Sequence, residues 1–300
     1  MLKALRKRKL KRTVEDIFVD MFVYLVAIIT IIVTLYPVWY SIIMSFNESY
    51  DARLGGIYFF PRVFTLRNYY AIFNDYRLIQ AFFITVMRTI VGTLSSVLVT
   101  SLFAYGLSKK HIQFRKFYMV FGIITMFFNG GLIPTFLLYN NLRLFNTFWV
   151  YIFPSLISFF NAILFINFYK TIPDSIEEAA RIDGANNYYI FFRIIIPLST
   201  PVFATITLFN GVYHWNDWFV PAYFVQSQEL KTLQTLLMEI INRGVGELML
   251  TERFGTRRES VTLESLRYAT MVVVMVPITL IYPFLQKYFV KGMMMGSIKE

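Results

Sequence analysis

The sequence of 300 residues contains no cysteine. Disulfide bonds, thiolate metal sites and cysteine nucleophiles are therefore excluded. Histidine is also scarce, because only His111 and His214 occur and they lie far apart along the chain. Neither a His-Glu-x-x-His zinc motif nor a Gly-x-Ser-x-Gly nucleophile motif is present. The sequence thus predicts a protein that is not an enzyme, with no catalytic residue, no metal site and no cofactor of its own.

Charged residues are few as well, at 16% of the chain, whereas a soluble domain averages about a quarter. Hydrophobic residues make up 57%. Several stretches without any Asp, Glu, Lys or Arg reach or approach the roughly 20 residues that a helix needs to cross a bilayer. No segment has the alternation of a barrel strand, so these stretches are predicted to be helices. They are 21–47, 89–108, 117–142, 144–169, 194–216 and 268–286.

The predicted fold class is therefore an all-α integral membrane protein with six transmembrane helices. A basic leader over 1–17 precedes a membrane domain over 18–292, and a tail over 293–300 follows it. A cytoplasmic loop at 171–197 connects the fourth and fifth helices. The six helices are predicted at about 18–46, 78–108, 117–139, 145–169, 195–223 and 268–289.

The positive charges predict the topology. The net charge is +11, but the basic residues lie beside membrane segments, so we expect no nucleic acid partner. The leader and the connection at 109–116 are rich in lysine and arginine, which places both on the cytoplasmic side. With six crossings, both termini are cytoplasmic. The basic residues in 226–267 oppose this orientation, and the leader is given the greater weight. The expected location is the bacterial cytoplasmic membrane, in contact with lipid.

Polar side chains in the predicted fifth helix are candidates for a substrate path. Polar groups at membrane depth are costly and usually face the interior of the helix bundle or a water-filled cavity. Amide groups can donate and accept hydrogen bonds, and aromatic rings can cover an apolar face of a bound molecule. Anchoring at the membrane surface and hydrogen bonds between helices remain an equal alternative. The candidates are Asn210, Tyr213, Trp215, Asn216 and Asp217.

Arg88, in the second predicted helix, is a further costly placement. A structural ion pair is the favoured interpretation, and no role in transport is assigned to it. Asn161 in the fourth helix is left undetermined.

The loop at 171–197 has the sequence features of a short, capped helix. Ser175 and Glu178 have the spacing of a capping box, Gly184 favours a sharp end, and Asn186 or its neighbour Asn187 can cap a second helix. So short a helix is marginal in water unless a partner packs on it. From capping and glycine alone, an ordinary connection between two membrane helices is the favoured alternative.

This loop resembles the EAA loop of binding-protein-dependent ABC importer permeases. That pattern has Glu-Ala-Ala, three residues, Gly, nine residues, Ile, one residue and Leu-Pro, and Ile196 stands here in the place of Leu. A recurring outer segment of the maltose-permease class resembles 129–134, and the glycine-spaced end of its second subunit resembles 291–299. The matching loop residues are Glu178, Ala179, Ala180, Gly184, Ile194 and Pro197.

The resemblance implies the type I permease fold of ABC importers and a role in oligosaccharide uptake. The implied partners are a second homologous permease, two ATPase subunits, an extracellular solute-binding protein and the sugar. No Walker-type phosphate loop occurs in the sequence, so ATP and Mg would be bound by the partner ATPase. In the family, the tail reaches between the ATPases, which concerns Gly292, Gly296 and Ser297 here. The loop docks on the ATPase, which concerns Glu177, Glu178, Ala179, Ala180, Arg181, Asp183 and Gly184.

Two other functions remain open at this point. The loop pattern is shared by permeases for other solutes, such as polyamines, phosphate or amino acids. A membrane-embedded enzyme or assembly factor that works without ATP is a further alternative from a different class.

Overall fold

The computed structural model describes residues 14–242 and 263–297, so most of the predicted leader and the last three residues lie outside it. The described residues form helices and turns, and their only β pairing is an isolated bridge between Asn47 and Phe64. This confirms the predicted all-α class. The helices are α1 (Val14–Ser45), α2 (Ser49–Arg53), α3 (Arg67–Asn74), α4 (Tyr76–Ser108), α5 (Arg115–Phe127), α6 (Leu132–Asn141), α7 (Phe159–Tyr169), α8 (Asp174–Ile182), α9 (Asn187–Tyr189), α10 (Ile196–Leu198), α11 (Thr200–Asn216), α12 (Phe219–Phe224), α13 (233–242) and α14 (Leu263–Ser297).

The lengths of the helices agree with a membrane-spanning bundle. Within the described ranges, 3 helices are long and apolar enough to cross a membrane, and up to 6 spans result if each bent pair of helices counts as one. The three continuous spans lie in α1, α4 and α14. The bent pairs are α5 with α6, the 3₁₀ turns at Phe148–Tyr151 and Phe153–Ser155 with α7, and the segment Asn187–Leu198 with α11.

The structure differs from the predicted single helix over 117–139. Two helices, α5 and α6, meet there at 117°. The segment between them contains Asn129 and two glycines, and Gly131 has a φ of +84° that L-residues rarely adopt. The Asn129 side chain also accepts a hydrogen bond from the Gly131 amide at 3.0 Å. The chain turns because this local hydrogen bond and the glycine conformation replace helical pairing.

The predicted helices over 145–169 and 195–223 are interrupted as well. Residues of the first form 3₁₀ turns before α7, and the two parts are bent by 45°. In the second, α10 and α11 are separated by a bend of 84° next to Pro201, which has no amide hydrogen to continue the helical ladder. Asp217 then ends α11, and α12 begins at Phe219.

The last helix is longer than predicted. It begins at Leu263 rather than 268 and continues to Ser297, through most of the predicted tail over 293–300. It contains Pro277 and Pro283, which membrane helices tolerate more readily than soluble ones.

The centre of the bundle is α4. Its buried face packs on α7 and α11, and small residues such as Ala104 and Ala162 are fully buried where the helices approach closely. Phe165, Ile190 and Ile206 complete the core around them. In contrast, α1 contacts chiefly α14 and exposes apolar side chains on all sides, as expected for a helix surrounded by lipid or by another subunit.

Candidate functional site

The loop between α7 and α11 forms the short helix α8, which begins after Pro173. Pro173 has the extended backbone of an N-cap residue but offers no side-chain hydrogen bond. Asp174 and Glu177 lie in the first turn, where carboxylates favour the positive end of the helix dipole. Ser175 is therefore inside the helix rather than before it. The predicted capping box of Ser175 and Glu178 is wrong, because the helix begins earlier than the spacing suggested.

The predicted end of α8 at Gly184 is confirmed. Gly184 has a φ of +82°. The amide of Ala185 donates to the carbonyl of Ala180 at 2.9 Å, and the amide of Gly184 donates to that of Arg181 at 3.0 Å. These two bonds define a Schellman motif, which requires a left-handed residue at the glycine position. The helix consequently stops within one residue.

A second cap starts the next helical segment immediately. The Asn186 side chain accepts a hydrogen bond from the Tyr189 amide at 2.8 Å, as the sequence predicted. The chain then continues as a π-helix, Ile190–Ile195, whose residues Ile190, Phe191 and Ile195 are buried in the core. The loop is thereby fixed to the membrane bundle at its C-terminal end.

One face of α8 is attached to the C-terminal end of α4. The Glu177 carboxylate forms an ion pair with the Lys109 ammonium, and the Tyr105 hydroxyl donates to it at 3.3 Å. Ala180 packs against the core from the same side. Two of the predicted coupling residues, Glu177 and Ala180, therefore face the bundle.

The other predicted coupling residues are exposed. Glu178, Ala179, Arg181, Asp183 and Gly184 all lie at the surface, and the Arg181 guanidinium donates to the Asn187 side chain at 3.1 Å. Two apolar side chains that the sequence argument did not single out accompany them: Ile182 is 86% exposed and Tyr188 is 73% exposed. Ile182 is the last residue of α8, whereas Tyr188 lies in α9, beyond the turn at Gly184. Ile182 lies two residues before Gly184 and Tyr188 four residues after it, so apolar residues close to a predicted turn were the signal available in the sequence.

Three of the predicted substrate-path residues are bonded within the protein. The Ser96 hydroxyl donates to the buried Asn210 at 3.2 Å, which joins α4 to α11. The indole of Trp215 donates to the carbonyl of Val274 at 3.1 Å. Asp217 forms an ion pair with Arg88. These contacts match the alternative of hydrogen bonds between helices.

Tyr213 and Asn216 are the two path candidates with exposed side chains, although Gln234 donates to the Asn216 side chain at 3.3 Å. Tyr213 borders a cavity of about 600 Å³ between α7 and α11. Asn161 and Asn210 line the same cavity, as do Ser155 and Ser158. The structure thus brings Asn161, which the sequence left undetermined, next to two of the predicted residues.

Arg88 is held in a buried cluster. Its side chain is 1% exposed and that of Asp217 is 8% exposed. The guanidinium also donates to the Asp217 carbonyl at 3.0 Å and lies 4.5 Å from the centre of the Tyr151 ring. The other Asp217 carboxylate oxygen accepts from the Phe219 amide at 2.9 Å and so caps α12. This supports the structural interpretation of Arg88.

The predicted tail residues Gly292, Gly296 and Ser297 lie in the final turns of α14. The structure contains no partner chain, so their contact with an ATPase stays a prediction. Within 14–242 and 263–297, no group of three or more His, Asp or Glu side chains is placed to hold a metal ion.

Comparison with known proteins identifies the family. Residues 16–295 match the family described as binding-protein-dependent transport system inner membrane component. The polygalacturonan/rhamnogalacturonan transport system permease protein YtcP of Bacillus subtilis is 37% identical over 80% of this chain and 83% of its own length. Protein LplC of the same organism is 34% identical over 87% of this chain and 88% of its own length. The arabinooligosaccharides transport system permease protein AraQ of Halalkalibacterium halodurans is 28% identical over 86% of this chain and 88% of its own length.

A solved structure shares the fold. The crystal structure of a bacterial ABC transporter involved in the import of the acidic polysaccharide alginate contains a chain that is 29% identical to this one. The TM-score is 0.83, and the superposition covers 93% of this chain and 99% of that chain. The predicted importer permease fold is confirmed by this likeness. Together with the family match over residues 16–295, it shows that the chain belongs to the inner membrane components of binding-protein-dependent transport systems, the permease subunits of ABC importers.

Proposed function

We propose that this chain is a membrane-spanning permease subunit of an ATP-driven importer for oligosaccharides. It acts with a second homologous permease, two cytoplasmic ATPase subunits and an extracellular solute-binding protein. The family description supports the binding-protein partner. The substrate class is supported by relatives whose names specify polygalacturonan, rhamnogalacturonan and arabinooligosaccharides.

The energy for transport comes from the partner ATPases, which bind ATP and Mg. The permease contributes no catalytic residue to hydrolysis, and its sequence has no Walker-type loop. Its own part is to provide the path and to change the accessibility of that path when the ATPases close.

The observation that carries the proposal is the exposed face of α8. Glu178, Ala179, Asp183 and Gly184 lie there beside the exposed Ile182. The small side chain of Ala179 allows close approach of another backbone, the charged groups fix its orientation, and the apolar side chain of Ile182 supplies buried area on docking. We assign this face to docking on an ATPase, together with Arg181. The end of α14 at Gly292, Gly296 and Ser297 is assigned to a second ATPase contact.

The orientation follows from this docking. The loop at 171–197 lies in the cytoplasm, where ATP is available, and the basic leader and the end of α14 lie on the same side. Both termini are therefore cytoplasmic. The segment from Glu48 to Tyr76 faces the outside.

The cavity between α7 and α11 is the proposed sugar path in this subunit. It combines the amide of Asn161, which can bond sugar hydroxyls, with the aromatic ring of Tyr213, which can cover the C–H face of a sugar ring. Asn210 lines the same cavity and is held there by its bonds to Ser96 and to the carbonyl of Ile206. Trp215, Asn216 and Asp217 support the same region through their bonds to neighbouring helices.

Uptake by the assembled importer tests this function. The chain is reconstituted in proteoliposomes with its partner permease, ATPases and binding protein, and labelled galacturonan and arabinan oligosaccharides are supplied with ATP. We expect ATP-dependent accumulation of at least one oligosaccharide class and none of a polyamine or an amino acid. Transport of only a non-sugar solute would contradict the proposal.

A further inference from the structure

The attachment of α8 to α4 is a closed cluster of three side chains. Lys109 pairs with one carboxylate oxygen of Glu177, and the Tyr105 hydroxyl donates to the other at 3.3 Å. The Lys109 ammonium also lies 4.2 Å from the centre of the Tyr105 ring. Each of the three side chains therefore contacts the other two.

The cluster is shielded from water and continuous with the core. The Lys109 and Glu177 side chains are 18% and 13% exposed. The Tyr105 ring packs edge-on against the Tyr169 ring, with their centres 6.0 Å apart, and lies tilted against the Phe191 ring at 5.2 Å. A partly buried ion pair is screened much less by salt than an exposed one. Displacement of Glu177 therefore acts on packed core residues rather than on a flexible side chain.

A neighbouring ion pair provides the contrast. Lys110 and Asp174 also connect the end of α4 with α8, at 3.2 Å, but their side chains are 88% and 72% exposed. Exposed pairs contribute little because water and salt screen them and both side chains lose rotamer freedom. Of these two connections, only the Lys109–Glu177 pair can hold α8 firmly on α4.

The helix to which α8 is attached also holds the outer part of the path. α4 is an unbroken helix of 33 residues. Its Arg88 is bonded to Asp217 at the break between α11 and α12. At about 1.5 Å per residue, Arg88 and Tyr105 lie roughly 25 Å apart along the same rigid element. A movement of the cytoplasmic end of α4 is thus carried to the region of Asp217.

We propose that the cluster of Tyr105, Lys109 and Glu177 is the joint through which α8 moves α4. Lys109 and Glu177 are positioning residues: they do not contact substrate or ATP, but fix the angle of α8 on the bundle. This inference rests on the proposed function of α8 as the docking helix for an ATPase. It adds the internal connection by which docking is transmitted to the membrane helices.

Charge reversal in the complete importer tests the joint. The variants K109E and E177K each place like charges together, and the double variant K109E/E177K restores an opposite pair. In proteoliposomes, we measure the ATP hydrolysis rate and the amount of sugar taken up per ATP hydrolysed. Each single variant is expected to lower uptake per ATP by about tenfold, within the usual range of coupling energies. The double variant should recover most of the lost uptake per ATP. K109R keeps the positive charge, so its uptake per ATP should stay close to that of the unmodified importer.

The exposed pair is the matched control. K110E, D174K and K110E/D174K change the same charges on the same two helices, and we expect their uptake per ATP to stay within about twofold of the unmodified importer. Size-exclusion chromatography of every variant checks that the complex of two permeases and two ATPases still assembles.

The proposed joint would be overturned by single variants that assemble and remain fully coupled. It would also be overturned if the double variant lost as much uptake per ATP as the single variants. That result would show that the two side chains interact with a partner protein and not with each other. Failure of the proposed function looks different: the unmodified importer itself would hydrolyse ATP without moving any oligosaccharide.

Discussion

At the scale of single residues, the ion pairs of this protein differ in how much they contribute to the stability of the fold. Arg88 and Asp217 are almost fully buried, whereas Arg77 and Asp75, at the N-terminal end of α4, are 64% and 25% exposed. Removing one member of a buried pair leaves a charge without water or a partner. The same change at the surface leaves a hydrated charge.

We therefore expect R88A to destabilise the folded permease by about 3–5 kcal/mol. R77A, the control, should cost no more than about 1 kcal/mol. The measurement is the thermal unfolding midpoint of the purified protein in detergent, followed by loss of the monodisperse chromatographic peak. Equal shifts for the two variants would show that burial of Arg88 has no energetic consequence.

Two glycines of α4 allow a matched comparison of packing. A Cβ atom added to Gly92 would lie 2.5 Å from the His214 ring, whereas one added to Gly106 would meet nothing within 4 Å. Alanine favours a helix over glycine by up to about 1 kcal/mol, so G106A should be neutral or stabilising. G92A should be destabilising because α4 and α11 must separate.

The same thermal unfolding measurement decides this prediction. The double variant G92A/H214A removes the ring that the new methyl group meets and should recover part of the stability. If G92A and G106A behave alike, the close approach of Gly92 and His214 is not the reason for glycine at that position.

At the scale of elements, the sharp end of α8 depends on one backbone conformation. Gly184 has a φ of +82° and open space around it, so a larger side chain meets no clash but must adopt a left-handed backbone. That conformation costs roughly 1–2 kcal/mol for most residues and less for asparagine. We therefore expect the Schellman motif to be weakened more by a residue such as valine at position 184 than by asparagine.

We predict that G184V lowers sugar-stimulated ATP hydrolysis and uptake of the assembled importer, and that G184N lowers them less. The reason is that α8 no longer ends at the geometry on which its docking face depends. Uptake and hydrolysis are measured on the same proteoliposomes. Full activity of G184V would argue against a coupling role for this loop.

At the scale of the whole molecule, the absence of native cysteine permits a direct test of topology. Leu54 lies in the segment from Glu48 to Tyr76 and Ser175 in α8, and both side chains are exposed. In the proposed orientation, a membrane-impermeant maleimide added to intact cells labels L54C and spares S175C. S175C should react only after the membrane is opened. The reverse pattern would place α8 outside the cell, where no ATPase could reach it.

Much of this architecture could be predicted from local sequence. The charge-free stretches indicated membrane helices because unpaired backbone groups are too costly in lipid. Gly184 and Asn186 indicated the end of α8 and the start of α9, since capping depends on neighbours only a few residues away. Such features need no knowledge of which helices meet.

The helix breaks were harder to predict. Over 117–139 an uninterrupted apolar run hides a bend at Asn129 and Gly131, and hydrophobicity alone does not distinguish one span from two bent helices. Ser175 was misplaced for a related reason, because Pro173 fixes where α8 begins and the spacing to Glu178 does not.

The sequence by itself determined the all-α membrane class, the short capped helix and the family. Only the tertiary structure decided that Arg88 pairs with Asp217 and that Glu177 faces Lys109 and Tyr105 rather than a partner. Composition and capping are local properties of the chain. The partner of a buried charge, by contrast, is set by the packing of helices that lie far apart in sequence, and many pairings of the same residues satisfy the same sequence pattern.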